Sequence, residues 1–315
     1  MMAWRRQTGA ALITALLIVF MASLVATQLA SRAVFDNARS SALLERDQAW
    51  QFALAAEAWA SEVLNDMRRD GGDPVDHLNQ LWAQPIELPA FDELPVQLSI
   101  RIEDLEGRLN LNNLVNADGS ANEVVVERFR RLLRYNELDE NLVLAVKDWI
   151  DGDIQPRFPD GAEDDYYSRL DPPYRTGNRP MRSVTELRLV RGFDDEAYRL
   201  LSPWITALPP GTRININTAP ADVLRTLVEG LSETDAERLA EDRPDEGFDT
   251  VDELGRHPAL AGQNLPDQGL AVTSNHFLVR SQVALGRSRL RTESVVYRSD
   301  AGTSRTLLRR QGFIE

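Results

Sequence analysis

The chain has 315 residues, enough for two or three small units around more than one core, and carries a formal net charge of −14. A chain this acidic does not bind a polyanion such as nucleic acid without a strong local basic patch. It has no cysteine, which removes disulfides, thiolate metal sites and cysteine nucleophiles, and its three histidines (His77, His257 and His276) stand far apart in no metal-ligand spacing.

Residues 1–9 read MMAWRRQTG, a basic leader ending in Gly9. Residues 10–31 carry no charge and are long enough to span a bilayer as a helix. A secretory signal peptide has a shorter apolar core and a cleavage site after it; here the candidate cleavage site precedes the apolar run. Loss of the leader would remove Arg5 and Arg6 and make the net charge more negative by two. No glycine or proline occurs from Ala10 to Asp70. The pattern therefore predicts one continuous helix over 10–70, about 90 Å long, ended by Gly71 and Gly72. Ala49, Ala53, Ala56, Ala60, Val63 and Met67 recur at three- and four-residue spacing and make one apolar face. Arg5 and Arg6 favour a cytoplasmic N-terminus, a bias weakened by Arg32 and Arg39 on the other side.

Residues 96–103 alternate with period two and predict a strand, with a turn at Gly107 and a further extended stretch over 108–111. The tail predicts three more strands over 277–285, 290–298 and 304–309, with turns at Gly286 and Ala301-Gly302. From 280 to 310 there are eight arginines and two acids, so the solvent face of this sheet is expected to be basic. A solvated sheet face accounts for these arginines more simply than nucleic-acid binding does.

An internal repeat lies between the strand groups. Arg108-Leu-Asn-Leu-Asn-Asn-Leu matches Arg213-Ile-Asn-Ile-Asn-Thr-Ala. Each copy continues into helical stretches, 121–135 and 141–150 in the first and 219–229 and 233–241 in the second. Each then reaches a Val-x-Glu-Leu signal, at 184–187 and 251–254, that heads another helix. Between Trp149 and Ser183 the first copy holds an insert that the second lacks.

Residues 148–171 of that insert hold eight acids against Arg157 and Arg169, punctuated by glycine and proline and flanked by Phe158, Tyr166, Tyr167 and Tyr174. A disordered acidic linker would lack the aromatics. Folding such a loop crowds carboxylates together, which is costly unless a cation sits among them. Hard oxygen donors without histidine or cysteine point to Ca²⁺, which takes six to eight oxygens. The candidate ligands are Asp151, Asp153, Asp160, Glu163, Asp164, Asp165 and Asp171. The loop is not an EF-hand: with Asp151 first, the sixth residue is Pro156 rather than Gly, and the twelfth is Ala162 rather than Glu. A solvated acidic loop is the competing reading, and paired-carboxylate glycoside hydrolysis lacks a cleft signature.

In the second copy, ININTAPADVLRTL followed by EGLSETDAERL resembles the helix-hairpin-helix module of DNA-binding proteins, with Thr218 as the expected N-cap and Pro220 in the first turn. The DNA-binding version uses a Gly-x-Gly hairpin followed by lysines. Here the hairpin is Gly230-Leu231-Ser232 followed by Glu233 and Asp235, and residues 214–260 hold twelve acids against four arginines. Phosphate binding is disfavoured by charge, so the module is expected to pack against protein.

The leader, the glycine and the long helix together resemble type IV pilins and the pseudopilins of type II secretion. That resemblance implies a prepilin peptidase that cuts after Gly9 and methylates Ala10. Most members of the family carry a glutamate at mature position five, understood to neutralise the N-terminal amine of a neighbouring subunit. This sequence has Thr14 there. A subunit without that carboxylate loses one contact with the subunit above, which suits a position with nothing above it. With DWIDGD, GAEDDYY, PPY and ININTAPADVL added, nearly the whole chain resembles the minor pseudopilin K family of the type II secretion system (general secretion pathway).

The resemblance implies an α+β fold: a long pilin-like helix and a small antiparallel sheet, interrupted by a large α-helical insertion with two helix-hairpin-helix or SAM-like units. The expected division is a leader over 1–9, the transmembrane and amphipathic helix over 10–70, and the first part of the pilin-like domain over 71–113. The helical insertion with the acidic loop follows over 114–212, the second helical unit over 213–270, and the closing strands over 271–315. The family implies a non-enzymatic subunit at a pseudopilus tip that primes assembly and supports export of folded exoproteins. Expected partners are the minor pseudopilins I and J, other pseudopilins and the prepilin peptidase, with the secretin and exoproteins as further candidate contacts and no nucleic acid. Calcium is also a family feature. The expected location is the bacterial inner membrane, single-pass, with the C-terminal domain periplasmic. The alternatives are a type IV pilus minor pilin for adhesion or DNA uptake, disfavoured by the acidic hairpin and by Thr14, and a membrane-anchored hydrolase, for which no Ser/His/Asp or metal constellation is apparent.

Overall fold

The computed structural model describes residues 8–69, 75–88 and 96–313. The leader up to residue 7, and Gly71 and Gly72, lie outside the described residues. Helix α1 (Thr8–Asp66) is continuous, as the absence of glycine and proline predicts, but it stops short of Asp70. Beyond Asp66 the backbone tightens into a turn, with the Arg68 N–H on the Asn65 carbonyl at 3.0 Å, and the Arg68 guanidinium reaches buried Asp76. The apolar first half of α1 is exposed along its whole length and is long and apolar enough to cross a membrane.

After α1 come β1 (Ile86–Leu88) and β2 (Val96–Asp104). The first helical unit then runs through β3 (Leu109–Asn110), α2 (Glu123–Tyr135), α3 (Leu142–Ile150), α4 (Asp164–Tyr167), α5 (Asp195–Leu201) and β4 (Ile205–Thr206). The second runs through β5 (Ile214–Asn215), α6 (Ala221–Arg225), α7 (Glu233–Glu241), α8 (Val251–Gly255) and β6 (Leu270–Ala271). The chain closes with β7 (His276–Leu285), β8 (Ser288–Arg298) and β9 (Ser304–Phe313).

The five long-range strands form one antiparallel sheet in the order β1-β2-β7-β8-β9. Both helical units therefore sit between two hydrogen-bonded neighbours, β2 and β7, and leave the sheet at one end, where Asp104 pairs with Phe277. Each unit is tied shut by a short parallel pair that the sequence pattern did not predict: β3 with β4, and β5 with β6. The Arg-x-Asn repeat supplies the first strand of each pair.

The second half of α1 lies on the sheet. Ala49, Ala53, Ala56 and Ala60 are buried there, with Val63 and Met67 partly covered, so the predicted apolar face is the one that packs. Small side chains let the helix approach closely while Trp82 and Phe277, edge to face at 5.2 Å, fill the end of this core. The direction of packing is defined at both ends. The β7–β8 turn meets α1 on the side nearer its apolar half, through the Arg287 N–H on Glu45 at 3.0 Å. The end that carries the insertion meets the last turns of α1, through Arg298 on the Leu64 carbonyl at 3.1 Å.

Two expectations need correction. The tail arginines are not all on a solvent face: Arg298 is fully buried and grips both oxygens of Asp76 at 2.7 and 2.8 Å, and Arg309 turns toward α1 to bond Glu57. A period-two strand sends alternate side chains to opposite faces, so an arginine count overstates either one. Thr218 is not the N-cap of α6, which is shorter than expected and begins after Pro220. Its hydroxyl is instead committed to buried Asp104 at 2.6 Å.

Candidate metal centre

The acidic insert is built outward from α3. This helix is mostly apolar, yet it carries Asp148 on its buried side at 0% exposure, and the chain leaves it at Asp151. The loop then folds back so that Arg157 meets both acids. Its backbone N–H bonds Asp148 Oδ2 at 3.0 Å, and its guanidinium bonds Asp148 Oδ1 at 2.6 Å and also Asp151 Oδ2. Gly161 closes the turn, with its N–H on the Arg157 carbonyl at 2.7 Å. A Cβ at Gly161 would collide with Asp148 Oδ2 and with the backbone of Arg157.

Behind this turn Glu163 enters the cluster at 2% exposure. Asp151, Asp153 and Glu163 each bring one carboxylate oxygen within 4.8 Å of the others. Arg157 offsets Asp148 and Asp151, but no cation among the described residues pairs with Glu163: both of its oxygens, and Asp151 Oδ1, are buried without a hydrogen-bond partner. Burial, and then the charges of Asp148 and Asp151, push the Glu163 carboxyl up to about 7. Buried polar atoms are almost always satisfied, so the orphaned oxygens of Asp151 and Glu163, with the Asp153 carboxylate close by, make this a candidate cation site. All the donors are hard oxygens, the chemistry that suits Ca²⁺.

Of the seven expected ligands the structure brings these three together. Asp160 lies beside Arg191 at 3.6 Å. Asp164 accepts from the N–H and hydroxyl of Thr176 at 3.0 and 2.8 Å. Asp165 and Asp171 are exposed. Those four do not join the cluster. Asp148 and Arg157 do shape it, and neither was in the expected set; the sequence signal for them was an aspartate on the predicted helix at the head of the acidic run and an arginine within it.

The aromatics of the insert have a packing role. Tyr167 is fully buried edge-on to Trp149 at 5.3 Å and stacked on Tyr174 at 5.2 Å, and its hydroxyl accepts the Arg191 N–H at 3.1 Å. This wall fixes α4, and through it Glu163, against α3. In the second unit, the Ser232 hydroxyl caps α7 at the Asp235 N–H, with the Glu233 and Asp235 carboxylates beside it in the first turn. That helix end presents negative charge where phosphate would need positive charge.

At the other end of the molecule Ala10 lies in the exposed first turns of α1. Thr14 bonds its own helix, at 3.1 Å to the Ala10 carbonyl and 3.0 Å to that of Ala11, and brings no charge to that position.

The family described as type II secretion system (T2SS), protein K, matches residues 107–210 and 214–273. Type II secretion system protein K of Pseudomonas aeruginosa is 36% identical, over 98% of this chain and 94% of that protein. Its namesake from Aeromonas hydrophila is 34% identical, over 93% of this chain and 94% of that protein. Among solved structures, a chain in the crystal structure of the GspK-GspI-GspJ complex from enterotoxigenic Escherichia coli superposes with a TM-score of 0.76 at 26% identity, covering 87% of this chain and 99% of that one. A long exposed N-terminal helix on a small antiparallel sheet, two helical units inserted between adjacent strands, and likeness along almost the whole length agree: the chain belongs to the type II secretion system protein K family of minor pseudopilins.

Proposed function

We propose that this pseudopilin occupies the tip of the pseudopilus, assembled with the minor pseudopilins I and J, and that it starts the fibre whose growth drives folded exoproteins through the outer membrane. The observation that carries this reading is where the insertion leaves the sheet. It departs from the end that meets Leu64, opposite the end that meets Glu45 and the apolar stem. In a fibre with apolar stems bundled inside, a broad unit on the distal end leaves no room for a subunit above. Thr14 in place of a carboxylate supports the same position. The role is mechanical and needs no catalysis.

On this reading the apolar part of α1 first holds the protein in the inner membrane, single-pass, with everything after it periplasmic. A prepilin peptidase cuts after Gly9 and methylates Ala10, and mass spectrometry of the N-terminal peptide tests that step. The pilin-like domain comprises residues 71–113 and 271–315, and the two helical units comprise 114–212 and 213–270. Asp151, Asp153 and Glu163 would hold a structural Ca²⁺, whose positive charge would meet the orphaned oxygens of Asp151 and Glu163. Asp148 and Arg157 orient the loop from behind.

The test uses the full chain co-expressed with its I and J partners and a gold label on the second helical unit. Label at one end of each pseudopilus is the expected result. Label distributed along the fibre, or failure to form a ternary complex, would overturn the tip position.

A further inference from the structure

A groove of about 870 Å³ lies between the first helical unit and the outer face of the sheet, on the side away from α1. Its walls include Val184 and Tyr198 from the insertion, and Leu278, Val295, Leu307 and Leu308 from the sheet. The last two owe their position to a β-bulge. Leu308 pairs with Val295 and Thr306 with Val296, so Leu307 is the extra residue and both leucines reach the groove. They remain 44% and 41% exposed, an apolar pair facing water on an edge strand.

Two further features adjoin this patch. β9 spans Ser304–Phe313 and pairs only with β8, so its outer backbone edge has no strand partner among the described residues. The groove's charged lining is Arg108, Arg182, Arg280 and Arg310 against Glu293; Glu103 and Glu293 pair with Arg108 and Arg280, so the positive charge presented to a ligand is that of Arg182 and Arg310, in a chain whose formal net charge is −14. Arg310 lies on the outer face of β9 and spans to the Ser183 hydroxyl at 2.8 Å, an exposed bond to a neutral group that a carboxylate would readily replace.

We propose that the groove and the free edge of β9 form a docking surface for an extended segment of a partner protein rich in aliphatic and acidic side chains, which adds to β9 as a sixth strand. Backbone pairing supplies register, and alternate side chains of the segment fall into the groove or stay in solvent. Aliphatic groups cover Leu307 and Leu308 while carboxylates meet Arg310 and Arg182. A second copy of this chain is a poor occupant, because pairing β9 with itself sets arginine-rich strands side by side. The proposal stands apart from both the calcium site and the position in the fibre.

The test is fluorescence anisotropy on the full chain in detergent at physiological salt. The probe is a labelled nonapeptide of alternating glutamate and valine. Its lysine–valine counterpart and a version N-methylated at alternate residues are the controls. The acidic peptide is expected to bind with micromolar Kd, and both controls to fail. Leu308→Glu and Arg310→Glu, both at exposed positions, are each expected to weaken binding about tenfold, equivalent to about 1.4 kcal/mol, with an unchanged melting temperature. No binding of the acidic peptide at millimolar concentration would overturn the proposal, as would equal binding of either control or wild-type affinity in both variants. Self-association of the protein that Leu308→Glu abolishes would assign the surface to a second copy instead, and the proposal would fall.

Discussion

Asn112 and Asn217 occupy equivalent places in the two helical units: each side-chain amide bonds both backbone groups of a single residue. Asn112 accepts the Met181 N–H at 2.7 Å and donates to the Met181 carbonyl at 2.9 Å. Asn217 does the same with Phe248 at 2.8 and 3.1 Å. Met181 and Phe248 each stand three residues ahead of a Val-x-Glu-Leu turn. In both turns the glutamate accepts a backbone N–H four residues back: Glu186 from Arg182, and Glu253 from Asp249. The repeated sequence is thus a repeated clamp. Asn112→Ala or Asn217→Ala leaves a buried backbone pair unsatisfied and is expected to cost about 2–4 kcal/mol. Asn116→Ala, at an exposed position, is expected to cost about 0.5 kcal/mol or less. Urea midpoints for the three variants check this, and equal midpoints would sink the clamp.

Calcium is expected to raise the melting temperature and a chelator to lower it. A ligand at a hundred times its Kd stabilises the folded state by about 2.7 kcal/mol. Glu163→Gln and Asp151→Asn should abolish the calcium-dependent shift, whereas Asp165→Asn, at an exposed residue outside the cluster, should retain it. Identical thermal curves for wild type with calcium and with chelator would defeat the metal assignment.

Gly161→Ala should open the acidic loop, because the added methyl meets the Arg157 backbone as well as the Asp148 carboxylate. The expected cost is about 1–3 kcal/mol, within the range for overpacking, together with loss of the calcium-dependent shift. Gly152→Ala, in the same loop with open space at its Cβ, is the control. A Gly161→Ala protein that melts and responds to calcium like wild type would show that the loop has more slack than its geometry implies.

Glu57 sits between α1 and the sheet. Burial raises its carboxyl, but bonds from Arg309, Ser294 and Thr306 outweigh that effect and bring it from the ordinary 4.5 to about 2. A carboxyl depressed in the folded state stabilises fully above its unfolded value and loses that stabilisation as pH falls through the folded one. The contribution, discounted for solvent screening, is on the order of 1–2 kcal/mol at pH 7, disappearing between about pH 4.5 and 2. Glu57→Gln should therefore destabilise at pH 7 and converge on wild type near pH 2. A gap that stays constant across that window would argue against the ion pair.

Asp104 behaves in the opposite sense. Burial, and then the charge of Glu106, raise it from 3.8 to about 7, against bonds from Ser274, Thr218 and the Glu106 N–H. Asn215 also donates to it at 3.2 Å. The folded protein holds this proton more tightly than the unfolded chain, so wild-type stability should fall as pH rises from about 4 to about 7. Asp104→Asn should remove that slope, worth about 2–4 kcal/mol across the window. Denaturant midpoints measured from pH 4 to 8 would show it, and parallel profiles for the two proteins would refute it.

Local pattern was enough for the long helix, the alternating strands and the repeat. An unbroken run without glycine or proline, a period of two, and a duplicated Arg-x-Asn motif each depend on neighbours a few residues apart. The apolar character of the stem and the acidity of the insert were equally plain, because both are properties of composition. What pattern could not supply was partnership across distance. β3 with β4 and β5 with β6 join strands of two residues each, too short to carry a period. Arg298 and Arg309 read as surface charge until the fold turned them onto Asp76 and Glu57.

The sequence by itself determined the chain's family, its candidate membrane helix and the acidity of the insert. Only the tertiary structure decided which acids face one another. Asp151, Asp153 and Glu163 converge because Arg157 folds the loop onto Asp148 and Tyr167 pins α4 against Trp149, contacts made by packing rather than by sequence spacing. The same holds for the groove beside β9. Leu307 and Leu308 are ordinary strand residues in sequence, and only the bulge and the neighbouring helical unit make them a surface.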